Sequence, residues 1–351
     1  MNLIMKIVLA LLMLGILIIS HEFGHFLLAK ANGIAVVEFW VGFGPKLLSF
    51  KKNGTLYRLN LIPIGGGCLF DNMDPDKLDE STFKNAPVMS RIATVIAGPF
   101  FNFILAFVLA LFISGYGGYS TCKLIEVTPN TPAYAAGLKA GDDIISLNGQ
   151  KVHMFSDISL ITMFSDGAES VIEYERDGQR YSTTLTPEYN KEYERYMFGI
   201  VGGYYDTQKT PIKSIKYAYY YVVYEIKSVV KSLEWLIVGK ISTKELSGPI
   251  GMATIVSDEY DYAKEVGGMI AVIVSMVSLG SFLSANLGVM NLLPIPGLDG
   301  SKLLLLIFEG IRGKPLSAKA EGAINLLGVV FIFMLMGLVM FNDISRLITM
   351  R

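Results

Sequence analysis

The chain has 351 residues, 52% of them hydrophobic and 17% charged, with a formal net charge of −1. Soluble domains carry about 25% charged residues, so an ordinary soluble globule is excluded, and near-neutrality removes the electrostatic case for nucleic acid as a partner. The length allows a bundle of membrane helices plus one small soluble domain.

The first element is an apolar run over 3–29. Lys6 near its start gives it the look of a removable leader, but no small-x-small cleavage site follows and the apolar character continues to Leu28. A retained first membrane helix is predicted. Near its end stands His21-Glu22-Phe23-Gly24-His25. Histidines four apart on a helix share one face, so both rings can reach a single zinc ion. Glu22 sits beside that face, where it can take a proton from a metal-bound water instead of binding the metal. A chance pair of polar residues at this depth costs several kcal/mol for no return, which favours a functional metal site.

The loop from 30 to 91 contains a hairpin expected over 46–63. The runs 47–52 and 55–62 flank Asn53-Gly54, a strong two-residue turn signal. Pro63 and Gly65-Gly66-Gly67 are expected to end its second strand. One face is apolar, so the hairpin reads as membrane-associated, with an edge that could pair with an extended peptide. A second membrane helix is predicted over 92–114. Cys68 and Cys122 flank it and would lie on opposite sides of a membrane, so no internal disulfide is expected.

From 117 to 205 the pattern changes to short strand-like runs separated by Pro and Gly. Strands are expected at 124–127, 144–147, 171–176 and 181–185, and short helices at 133–138 and 158–163. His153, in this region, is expected to be an ordinary surface histidine. The segment 206–264 reads as a linker carrying an amphipathic surface helix over 212–238. The last part, 265–351, holds predicted spans at 267–293 and 324–341.

A catalytic zinc usually has three protein ligands and an open position. Between 267 and 306 the one acidic residue is Asp299, in Asn291-Leu-Leu-Pro-Ile-Pro-Gly-Leu-Asp-Gly300. Two prolines break the helix there, and broken backbone at membrane depth is tolerated only where it is buried in protein or lines a cavity. Asp299 is therefore a candidate third ligand; the alternative is a loop-capping aspartate at the membrane interface. Lys46, Lys51, Lys52, Arg58, Lys77 and Lys84 in the first loop, and Lys302, Arg312, Lys314 and Lys319 after the third span, outnumber Lys6, Arg346 and Arg351 at the termini. Both short loops should be cytoplasmic, with the termini and the central domain outside and the histidines toward the cytoplasmic side.

Two resemblances follow from these residues. The run from Val127 through Pro132-Ala-Tyr-Ala-Ala-Gly-Leu138, Gly141-Asp142 and Asn148-Gly149 to Val152 resembles the core of a bacterial PDZ domain, a fold that binds peptide ends by strand addition. Gly117-Gly118-Tyr119-Ser120 is a candidate end-binding loop. The histidine motif with Asn291…Leu298-Asp299-Gly300 resembles the site-2 protease family of intramembrane zinc metalloproteases, in its single-PDZ, RseP-like form. Gly42-Phe-Gly-Pro45, Leu61-Ile-Pro-Ile-Gly-Gly66, Ala97-Gly-Pro-Phe-Phe-Asn102 and Ser247-Gly-Pro-Ile250 also match.

The resemblance implies a polytopic α-helical membrane protein with four transmembrane helices, a membrane-associated β-hairpin and an extracytoplasmic α+β PDZ domain, in a bacterial cytoplasmic membrane. It implies one zinc per chain on His21, His25 and Asp299, with Glu22 as acid/base. Asn291, Pro294, Gly65 and Gly66 would help hold the substrate, a single-span membrane protein such as an anti-sigma factor, or a remnant signal peptide. The rival is a membrane-embedded PDZ receptor whose metal site is structural; Glu22 argues against it, since a structural site has no use for a base.

Overall fold

A computed structural model describes residues 3–70, 82–193, 195–207, 210–242, 248–315 and 317–349. Lys77, Ser247 and Arg351 therefore lie outside the described residues. In chain order the elements begin with α1 (Leu3–Ala31), β1 (Glu38–Lys52), β2 (Thr55–Leu69) and α2 (Val88–Gly117). A run of small elements follows: β3 (Tyr119–Ser120), β4 (Leu124–Val127), α3 (Pro132–Ala135), β5 (Asp143–Leu147), β6 (Gln150–Lys151) and α4 (Phe155–Met163). Next come β7 (Ser170–Arg176), β8 (Gln179–Leu185), β9 (Glu188–Asn190), β10 (Arg195–Met197), β11 (Ile200–Gly202) and β12 (Tyr205–Asp206). The chain closes with α5 (Pro211–Ile237), α6 (Pro249–Leu292), α7 (Asp299–Arg312) and α8 (Ala318–Thr349). Two units form: one from 1–109 and 233–351, the other from 110–232.

In the first unit, α1, α2, α6 and α8 are long and apolar enough to cross a membrane. The expected spans at 3–29, 92–114 and 324–341 fall within α1, α2 and α8. The third differs at its start. Helix α6 begins at Pro249, inside the expected linker, and is interrupted at Gly268, whose φ of 67° only glycine adopts readily. The predicted span at 267–293 corresponds to the part after this break. Asp343 of α8 accepts hydrogen bonds from the backbone N–H groups of Gly248 and Gly251, satisfying donors that the start of α6 leaves open.

Helices α1, α2 and α6 are tied by hydroxyl-to-carbonyl bonds. Ser20 donates to the Phe101 carbonyl, Ser284 to that of Asn102 and Ser281 to that of Ala106, at 3.2, 2.7 and 3.1 Å. At Gly24 and Ala97 the backbones of α1 and α2 meet so closely that a β-carbon on residue 24 would collide with the Ala97 carbonyl. Small residues at such crossings are how helices pack where no hydrophobic effect drives them together.

The hairpin turns at Asn53 and Gly54, both left-handed with φ of 48° and 79°, as its dipeptide requires. Its strands are longer than expected, and Pro63 and the three glycines do not end β2, which continues to Leu69. The two strands bend so that residues 38–41 lie between 56–59 on one side and 66–69 on the other. Glycine makes this possible: a β-carbon at Gly67 would run into the Trp40 indole, and one at Gly66 would lie 2.9 Å from the Trp40 carbonyl. Phe26 of α1 packs on Phe39 and Tyr57, seating the sheet against the helix that carries the histidines. Leu47, Leu48, Phe50, Leu61 and Ile62 are left exposed.

The second unit contains an antiparallel four-stranded sheet in the order β6-β5-β7-β8, with the pairs β4–β11, β9–β10 and β3–β12. Its core gathers Leu124, Leu147, Ile158, Ile172 and Phe198. All four expected strands and both short helices are present; β3, β6 and β9–β12 were not anticipated, being two or three residues each. Two further differences concern function. The segment Gly117-Gly118-Tyr119-Ser120 is not an open end-binding loop, because Tyr119 and Ser120 pair with Asp206 and Tyr205. His153 is half-buried and stacked on Tyr220 of α5, with ring centroids 4.0 Å apart. Burial lowers its pKa, opposed by the nearby Asp157 carboxylate. Cys68 and Cys122 are both free, as expected.

Candidate metal centre

Helix α1 places His21 and His25 one turn apart on its buried face. The break after α6 delivers Asp299 to them. Gly297 takes a left-handed φ of 96°, Leu298 caps α7, and Asp299 is that helix's first residue. Gly300 has no room for a side chain against the carbonyls of Leu292 and Leu293. The Leu-Asp-Gly sequence is thus read directly as a tight turn into a helix with a carboxylate at its start.

Three ligand atoms converge. His21 Nε2 lies 2.9 Å from Asp299 Oδ2, His25 Nε2 lies 3.1 Å from the same oxygen, and the two Nε2 atoms are 3.2 Å apart. Tetrahedral zinc with nitrogen and oxygen ligands at about 2.0–2.2 Å sets neighbouring ligand atoms about 3.3 Å apart, so the triangle has the right size. Among the described residues this is the one group of three such side chains close enough to hold an ion.

The surrounding groups fit the same reading. His25 Nδ1 lies 2.8 Å from the Thr94 carbonyl, which fixes the proton on that nitrogen and leaves Nε2 as an acceptor. His21 Nδ1 lies 3.2 Å from the Asn102 amide nitrogen and 3.4 Å from that of Asn291, while Asn102 Oδ1 is buried without a partner. Oxygen and nitrogen of an amide are interchangeable by a half-turn. Turning Asn102 gives its orphaned oxygen the Nδ1–H that a His21 ligating through Nε2 must carry. Gly98 completes the floor: a β-carbon there would collide with His25 and come within 2.9 Å of His21.

His21, His25, Asp299 and Glu22 line a cavity of about 760 Å³, which also reaches Lys84, Lys302 and the Arg91–Glu309 pair. That pair is bidentate, at 3.1 and 2.5 Å, and links α2 to α7. Of the other expected residues, Asn291 lines the cavity beside His21, and Gly66 faces Glu22, whose Cγ a β-carbon would approach to 3.5 Å. Gly65 faces Phe43 instead, and Pro294 is exposed outside the cavity lining. Thr94, Gly98 and Asn102 were missed as supporting residues. The signal available for Asn102 was an amide in an otherwise apolar helix.

Comparison with known proteins agrees with this geometry. The model of peptidase family M50 matches residues 9–335. Similar relatives include the regulator of sigma-W protease RasP of Bacillus subtilis, 32% identical over 96% of this chain and 97% of that one. The zinc metalloprotease RasP of Geobacillus kaustophilus is 31% identical over 95% and 96%. The chain belongs to peptidase family M50. It is a zinc metalloprotease of the site-2 protease type, with helices suited to a membrane.

Proposed function

We propose that this chain hydrolyses a peptide bond within or next to the membrane-spanning segment of a substrate protein, with one zinc ion held by His21, His25 and Asp299. The observation that carries the reading is the convergence of three ligand atoms inside a cavity that Glu22 also lines. Bound zinc would supply a Lewis acid that acidifies water and polarises the scissile carbonyl. Glu22 takes the proton of the attacking water on its carboxylate and passes it to the leaving amide nitrogen. The Thr94 carbonyl and Asn102 hold the two imidazoles in the tautomer that presents Nε2 to the cavity. Asn291 lies beside His21 and the Gly66 stretch of β2 beside Glu22, where they can pair with the backbone of a substrate unwound from its helix; Pro294 and Gly65 belong to the segments carrying them.

A membrane substrate of the anti-sigma-factor or remnant-signal-peptide kind fits this site, and the name of the Bacillus subtilis relative supports the first. The bacterial relatives support a bacterial cytoplasmic membrane, and loop charge supports an orientation with the short Lys- and Arg-rich loops cytoplasmic and the termini and central domain outside. The second unit acts as a PDZ-type module. Strand β11 pairs on one side with β4, and a cleft of about 90 Å³ lies between α4 and residues 195–200, where a peptide could extend the sheet.

The test is cleavage of a model single-span substrate by wild type and Glu22→Gln, with zinc measured on both. Loss of cleavage by a factor of about 10³ or more at unchanged zinc is expected. Retained cleavage in the variant would remove Glu22 from the mechanism.

A further inference from the structure

We propose that the cleft between α4 and residues 195–200 selects peptides carrying an acidic side chain, and that Arg195 makes the selection. The inference rests on the reading of this cleft as a peptide-docking edge. Among the described residues that line it, Arg195 is the one with a charge; its neighbours there include Phe155, Ile158, Met163 and Ile200. Its Nε is buried and has no hydrogen-bond partner among the described residues. The guanidinium carbon lies 5.7 Å from the Tyr193 ring centroid, a contact with a ring face that uses none of the in-plane N–H groups. A planar guanidinium with an unused donor is matched to a carboxylate, and an unpaired buried donor costs free energy that such a partner recovers.

Position separates a side chain from a chain end. Arg195 opens β10, where it pairs with Asn190, and β10 packs against α4. The turn into β11 is elsewhere, at Gly199, whose left-handed φ of 82° and crowding by Thr131 exclude a side chain. A peptide extended along β11 would send alternate side chains across the cleft.

The experiment uses the full-length protein in detergent micelles and fluorescence anisotropy with a labelled apolar peptide. A single Glu, or Gln in its place, is walked along the peptide, and each version is made with a free and with an amidated C-terminus. At one position Glu should bind about tenfold tighter than Gln with either terminus. Arg195→Leu should abolish that difference and keep the Gln affinity, and Arg195→Glu should turn the preference toward Lys at the same position, an inversion that a misfolded variant cannot produce. Equal binding of Glu and Gln peptides everywhere would overturn the selection while leaving the docking edge intact. Discrimination that follows only the free terminus would overturn it by assigning Arg195 to the chain end. Failure of every peptide to bind would remove the docking edge and the selection together.

Discussion

The two units are built inside out with respect to each other. In the second, large apolar side chains are inside: Leu124, Leu147, Ile158 and Ile172 are all at most 2% exposed. In the first, comparable side chains point outward, with Ile16, Leu327 and Phe333 57–67% exposed, while Thr94, Asn102, Ser281 and Ser284 are fully buried. The same physics produces both. Water drives hydrocarbon inward, whereas lipid is as apolar as leucine and leaves packing and interhelical hydrogen bonds to hold helices together. Polar groups therefore share the interior of the membrane unit with small and apolar ones such as Ala97, Ala106 and Leu283, and a histidine–carboxylate cluster can sit there among other polar partners.

The contrast breaks most sharply at Gly98. One added methyl, Gly98→Ala, meets both imidazoles, so zinc content and cleavage should both fall by at least tenfold while detergent-solubilised protein keeps its helicity; unchanged zinc would refute the close packing of α2 under the site. In the second unit a larger deletion has a conventional effect. Leu147→Ala removes a fully buried side chain and should destabilise that unit by about 2–5 kcal/mol, read by thermal or denaturant melting, with zinc retained.

Asn102→Leu keeps the branched outline and heavy-atom count of the side chain, at a somewhat larger volume, and removes the amide beside His21. A loss of about 10–100-fold in zinc affinity is expected, with little change in melting, because the residue orients a ligand more than it holds the bundle. The smallest effect is at His153. Burial depresses its pKa below the ordinary 6.5, so the folded unit binds fewer protons than the unfolded chain in that range. Its contribution to stability is present above pH 6.5 and is lost as the pH falls. Acidification to about pH 5 should lower the melting temperature of wild type slightly more than that of His153→Phe, which keeps the stack on Tyr220.

Much of this protein was legible in its sequence because the decisive signals are local. Helix periodicity alone puts His21 and His25 on one face, an apolar run of the right length marks each span, and Asn53-Gly54 dictates its own turn. Asp299 was legible for a different reason: a lone carboxylate beside two helix-breaking prolines has few explanations at membrane depth. What escaped the sequence depends on contacts between distant segments. The role of Gly98 exists because α2 crosses α1 at Gly24, β2 bends past its glycines instead of ending there because Gly66 and Gly67 leave room for Trp40, and Tyr119-Ser120 is closed because β12 returns to pair with it. Residue type and spacing set the chemistry available to the chain. Only the tertiary structure decided which groups complete the imidazoles and that the half-buried Arg195 lines the cleft beside α4, since each depends on which segment packs where.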